Sequence, residues 1–170
     1  WTATDRTSVS FITGKGLENF EIHTGGGSGA NGIRFIPVVR DDTTYNDSRA
    51  YQDVPNVLQP GWNHVAAVWD YANQQVRVFL NGLPQDIYQI GVNVGPVANL
   101  PLDHPETNPL ALNEEEFFIG ARNDQYYGYP SLFFKGNIAD VRFWNTVRTP
   151  SQIASDKYKQ LTGTESGLIG

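Results

Sequence analysis

The residues best suited to chemistry lie at 119–145, in the stretch IGARNDQYYGYPSLFFKGNIADVRFWN. Asn123, Asp124 and Gln125 offer hard oxygen donors of the kind calcium takes. Tyr126, Tyr127 and Tyr129 offer rings that can stack on sugars. Turns also collect Asn and Asp for conformational reasons, so a binding loop and a plain polar turn both fit this composition.

Other constellations are weaker. GSGANG (residues 27–32) has the spacing of a phosphate-binding glycine loop, but the strand-like IRFIPVV follows it where that chemistry needs a helix start. A hairpin loop is the better reading. His23, His64 and His104 lack metal-ligand spacing, and His64 reads as a packed residue of a buried strand. Without Cys and without G-x-S-x-G, no thiol or hydrolase-type serine nucleophile is indicated. Glu114 and Glu116 on one strand face would stand about 7 Å apart. A retaining glycosidase needs its two carboxyls about 5 Å apart. Asp140 and Arg142, with Trp144, read as a structural pair on a strand face, and Asn46-Asp47-Ser48 is a glycosylation sequon in a host that uses it.

The chain has 170 residues, 39% apolar and 18% charged, enough for one domain with a sizeable core to position these residues. A net charge of −6 with no Lys/Arg run argues against nucleic acid or an anionic membrane as partner, and no apolar run is long enough to span a bilayer. The absence of Cys excludes a disulfide framework. The chain starts at Trp1 and lacks Met, which reads as a piece of a longer protein.

Strand signals dominate. SVSFITG, NFEIHT, GIRFIPVV, WNHVAAVW, QVRVFLNG, EFFIG and GNIADVRFW all have strand character. In NFEIHT, Phe20 and Ile22 share one face and Glu21 and His23 the other; WNHVAAVW is apolar on both faces and reads as a doubly covered strand. Val76, Val78 and Leu80 point inward, and Asn81-Gly82 marks a tight turn. One helix is expected in TPSQIASDKYKQL, with Thr149 as N-cap, Pro150 at the first position, Gln152 closing a capping box, and Ile153 with Tyr158 or Leu161 as its buried stripe. The long segments 40–60 and 83–113 read as loops. Many strands with one late helix predict an all-β, two-sheet antiparallel sandwich.

GWNHVAAVWDYANQQVRVFLNGLPQD resembles the centre of laminin-G-like and pentraxin-like domains. FFIGARNDQYYGYPSLFFKGNIADVRFWNTVRTPSQI resembles their C-terminal half, and GTESGLIG their final strand in bacterial members. The resemblance implies a single concanavalin A-like jelly roll over 1–170, lacking the family's first strands and belonging to a larger secreted or cell-surface protein. It implies ligand binding rather than catalysis, often with calcium at the rim. Pentraxin-type ligands would fall on Arg122, Asn123 and Asp124, where Arg122 replaces a carboxylate with a cation. Laminin-type ligands would fall on Asn19, the carbonyls of Pro37 and Phe143, and Asn145, with Asn19 replacing an Asp.

The expectation is thus a non-catalytic recognition module for a glycan or surface protein. Tyr126, Tyr127, Tyr129 and Arg122 would contact the ligand, and Asp124, Asn123, Asn145 and Asn19 would hold calcium. The alternatives are a structural or assembly domain that contacts neighbouring domains, and a glycoside hydrolase.

Overall fold

The computed structural model describes residues 2–3, 10–14, 20–25, 31–40, 47–49, 52–54, 58–70, 72–73, 75–86, 88–89, 100–101, 117–124 and 129–170. The strands among them are β1 (Thr2–Ala3), β2 (Ser10–Gly14), β3 (Phe20–Thr24), β4 (Ile33–Arg40), β5 (Asp47–Arg49), β6 (Gln52–Val54), β7 (Val65–Asp70), β8 (Gln75–Leu80), β9 (Leu83–Pro84), β10 (Tyr88–Gln89), β11 (Leu100–Pro101), β12 (Phe118–Ile119), β13 (Arg122–Asp124), β14 (Tyr129–Ser131) and β15 (Gly136–Asn137). One helix, α1 (Pro150–Asp156), follows them.

The larger sheet runs β10-β6-β4-β3-β2-β12, with β5 also on β4. A smaller sheet runs β11-β8-β7, with β9 on β8, and β1-β15 and β13-β14 form separate pairs. The ladders between these strands are antiparallel.

Apolar side chains of the two larger sheets share their burial. Phe35 and Val54 meet Val76 and Val78, with Phe20, Ala67 and Trp69 against them. Ile12 and Ile33 meet Leu58 and Leu80, with Val65, Phe134 and Ile138 alongside. The inward set Val76, Val78 and Leu80 is as the sequence pattern predicts. The opposite face of the smaller sheet is covered too: Phe79 and Val68 bury against Ile153 of α1. Each such side chain contributes roughly 1.5–3 kcal/mol relative to exposure.

The Asn81-Gly82 turn joins this core to the helix. Leu80 pairs with Leu83 across it, and both turn residues are left-handed (φ 52° and 81°), which suits the twist of a two-residue hairpin. Asn81 N donates to His64 O (2.8 Å), and Asn81 Oδ1 accepts from His64 N (2.9 Å). Lys157 Nζ then donates to Asn81 O (2.9 Å).

α1 begins with the expected capping box: Gln152 N donates to Thr149 Oγ1 (3.3 Å) and Thr149 N to Gln152 Oε1 (2.9 Å). Arg142 fastens the other end, donating to the carbonyls of Asp156 (2.7 Å) and Lys159 while its remaining donors grip the Asp140 carboxylate. Arg148 pairs with Asp156 and lies over the Trp144 ring at 4.0 Å.

Several expectations need correction. GNIADVRFW is not one long strand: β15 ends at Asn137, and Asp140 turns left-handed (φ 58°), which breaks an extended run. The Asp140–Arg142 pair is present, but it braces the helix rather than decorating a strand. Tyr158 is 77% exposed, so Ile153 alone of the helix's own residues is buried. Glu21 and His23, which share the second face of β3 as the pattern predicts, are both buried. GTESGLIG forms an isolated bridge, Trp144 to Leu168, rather than a strand.

Two glycines separate backbone strain from crowding. A Cβ at Gly82 would lie 3.0 Å from the Ala154 Cα, whereas a Cβ at Gly61 (φ 91°) meets nothing within 4 Å. Gly61→Ala should therefore cost only the left-handed penalty, about 1–2 kcal/mol. Gly82→Ala adds a clash with the helix and should cost about 2–4 kcal/mol. Urea unfolding of the two variants, compared at equal m-value, checks the difference.

Candidate functional site

The polar stretch after Gly120 is a hairpin. Gly120, with φ 79°, turns the chain out of β12; its N–H donates to Ile12 O (2.9 Å), and its carbonyl accepts from Phe134 N (2.7 Å). Between these anchors β13 and β14 pair as Arg122↔Ser131, Asn123↔Pro130 and Asp124↔Tyr129. Asn123, Asp124 and Tyr129 are thereby brought to one hairpin end, and the Tyr129 ring is 59% exposed there. Tyr126 and Tyr127 lie outside the described residues.

Arg122 works at the base of the hairpin. Its Nε is 3.4 Å from Glu21 Oε1 of β3, and the Glu21 side chain is only 8% exposed. A carboxylate this buried needs a cation nearby. β13 thus covers part of the second face of the larger sheet, which explains why Glu21 is not solvated. Beyond β14, Leu132 is left-handed (φ 50°), uncommon for a branched side chain, and the following Phe133 is 62% exposed.

Near the laminin-type positions, three aromatic residues from separate chain regions meet. Phe20 pairs directly with Pro37, and its ring lies 6.3 Å from Phe143 and 6.2 Å from Phe117. Phe117 and Phe143 meet edge to face at 4.8 Å. Asn19 itself lies outside the described residues. Asn145 is exposed, its N–H donating to Gly167 O (2.8 Å), while the Phe143 carbonyl accepts from Ile169 N (2.9 Å).

As a calcium site these donors are poor in charge. Among the described residues no three His, Cys, Asp or Glu side chains gather. At the hairpin the Arg122 guanidinium belongs to the same strand as Asn123 and Asp124, which opposes a pentraxin-type cluster. The laminin-type donors, by contrast, are carbonyl and amide oxygens of residues outside β13.

The sequence pattern missed the turn before β7. WNHVAAVW reads as one buried strand, yet β7 starts at Val65 and Trp62 is 60% exposed. Pro60-Gly61 is the signal that could have located this turn. His64, next to it, is half-buried. Burial first, then the positive fields of Arg142 and Lys157, hold its imidazole below the ordinary value, against a weaker opposing pull from Asp140. His104 and Glu114–Glu116 lie outside the described residues, as do glycines 26, 27 and 29 of the glycine-rich loop. β4 follows that loop, so the helix a phosphate site needs is not there.

The chain belongs to the concanavalin A-like lectin/glucanases superfamily: the model of its Laminin_G_3 family matches residues 1–154. Domains of this laminin-G-like kind commonly bind glycans or proteins, are usually extracellular and are generally non-catalytic, although the superfamily includes some glycoside hydrolases. No solved structure matches the chain significantly. Among the described residues no helix is long and apolar enough to cross a membrane.

Two outcomes test the charges around this site. Arg122→Met leaves the buried Glu21 carboxylate without this guanidinium and should destabilise by about 2–3 kcal/mol, less than a fully buried pair because Arg122 is partly exposed. The double variant with Glu21→Gln should recover part of that loss in a double-mutant cycle. For His64 the folded pKa is depressed, so the unfolded chain binds the extra proton. Its contribution is complete above about pH 6.5 and is lost as pH falls through the lowered folded value. His64→Gln should flatten the fall in melting temperature between about pH 7 and pH 5 relative to the parent.

Proposed function

We propose that this chain is a non-catalytic extracellular recognition module, built as a two-sheet jelly-roll sandwich, that binds a glycan or a surface protein at the β13–β14 rim. The observation that carries this reading is the contrast along the hairpin. Its base is fixed by the Arg122–Glu21 pair, while its far end presents the exposed Tyr129 ring opposite Asp124. A rigid stem with an aromatic end limits the entropy lost on binding. Tyr126 and Tyr127, in the four residues between β13 and β14, would extend the aromatic contact. Arg122, already paired with Glu21, would act chiefly by holding the hairpin in place.

Calcium would assist from the laminin-type positions, with Asn19 and Asn145 and the carbonyls of Pro37 and Phe143 as donors. Asn123 and Asp124 at the hairpin are the alternative donors, opposed by Arg122. With neutral donors the affinity should lie at the weak end of extracellular modules, with dissociation constants on the order of 10⁻³ M or above. The ion would order the rim and offer a coordination position to a ligand hydroxyl.

Two measurements test this reading. A glycan array probed with the parent and with Tyr129→Ala should give a signal that drops by about tenfold in the variant, with the melting temperature preserved because Tyr129 is exposed. Calcium at ten times its dissociation constant should raise stability by about 1.4 kcal/mol over the chelated sample. Absence of both effects would favour a structural role in a larger assembly, and cleavage of an array sugar would favour a hydrolase.

A further inference from the structure

The turn between Leu58 and Val65 is organised around a buried amide. Asn63 is 3% exposed; its Oδ1 accepts from Gln59 N (3.1 Å), and its Nδ2 donates to the carbonyls of Gln59 (2.8 Å) and Gly61 (3.0 Å). Gly61 supplies the left-handed residue, with φ 91°. Leu58 on one flank and Val65 on the other pack into the cluster of Ile12, Ile33 and Leu80. Leu58 N also donates to Asn31 O (2.9 Å). The turn is therefore fixed at both ends and across its middle before any ligand arrives.

What this frame holds up is Trp62, 60% exposed. An indole left this far in water adds little to the core, and its face stays available for contact. Residues 58–64 contain no Asp, Glu, Lys or Arg, and Gln59 and Pro60 of the same turn are exposed as well. The turn's own residues thus combine a flat apolar face with amide and carbonyl groups, and the nearest charges known to act on it, Arg142, Lys157 and Asp140, are felt at His64. That chemistry suits the CH face and hydroxyls of a neutral sugar better than an anionic ligand or a charged peptide.

The turn also shares its anchorage with the hairpin. Phe134, which closes the hairpin base onto Gly120, packs in the same buried cluster as Leu58 and Val65. Phe133, one residue earlier, is exposed. One cluster therefore holds both the turn and the foot of the hairpin.

We propose that the Gln59–Asn63 turn is a second ligand contact, in which Trp62 stacks on a ring of a neutral glycan chain. The proposal rests on the reading of the chain as a recognition module and adds a contact that the hairpin does not provide. A ligand engaging both would be a chain of several sugars rather than a single terminal residue.

The test is a titration of the whole chain with short neutral oligosaccharides of glucose, mannose, galactose and xylose, followed by the indole N–H resonance of Trp62, assigned by its loss in Trp62→Phe. A saturable shift of that resonance is expected. Trp62→Ala should weaken binding about tenfold or more, and Trp62→Phe should restore most of it. The melting temperature of Trp62→Ala should match the parent, because the ring is exposed. Glycan binding that Tyr129→Ala abolishes and Trp62→Ala leaves intact overturns the second contact while the recognition reading stands. Trp62-dependent binding of a protein, with no response to any neutral oligosaccharide, overturns the ligand class. No binding of either kind overturns this proposal and the recognition reading together, and a large drop in melting temperature for Trp62→Ala assigns the ring to packing.

Discussion

Burial of β8 on both faces is the constraint on which the rest of the architecture depends. Val76, Val78 and Leu80 fill the space toward the larger sheet, and Phe79 fills the space toward α1. A strand enclosed in this way cannot slip by one residue without driving Gln75 and Arg77 into the core. Its end position is equally determined, since the left-handed Asn81-Gly82 turn sits under Ala154 and Asn81 holds the backbone of His64 through two hydrogen bonds. Sheet register, helix position and the approach to β7 thus depend on one another. A seven-residue helix is too short to be stable in isolation, and Arg142, Lys157 and Ile153 supply what its length does not.

From that frame the two surface features follow. The cluster around Ile12 and Leu80 holds Leu58 and Phe134, so the turn that carries Trp62 and the base of the β13–β14 hairpin are both tied to β8's neighbours. The hairpin is tied a second time by its charge. Arg122 reaches Glu21 on the outer face of the larger sheet, where a carboxylate would otherwise be buried beside strand backbone. Electrostatics and packing therefore act on different parts of the same element.

Much of the fold was legible in the sequence because local chemistry and tertiary packing agree there. The alternation of Val76, Val78 and Leu80, the Asn-Gly turn and the Thr149–Gln152 box each specify one conformation, and the structure adopts it. The misreadings arise where tertiary contacts override a local pattern. Asp140 sits in an otherwise good strand sequence but takes a left-handed conformation, with its carboxylate held by Arg142. Glu21 and His23 alternate with apolar neighbours, a pattern that leaves open what lies over their face, and the Arg122–Glu21 contact shows part of it covered. Trp62 reads as the first residue of an apolar strand, and the buried side-chain bonds of Asn63, which turn it outward, have no signature in hydrophobic periodicity. Of the candidate site, the hairpin was visible only as composition: Asn, Asp and Pro130 conceal a short ladder that the register makes plain.

The Arg122–Glu21 contact has a mechanical consequence. A ligand held at the hairpin end and pulled would transmit force down two short strands to this pair. Charge attraction declines with the first power of separation, whereas packed apolar contacts lose much of their hold within an ångström. The charged tie should therefore still pull after the packing of Phe134 has let go, and should draw the hairpin back when the load is released. Such a joint would work as a damper between the hairpin and the sheet behind it.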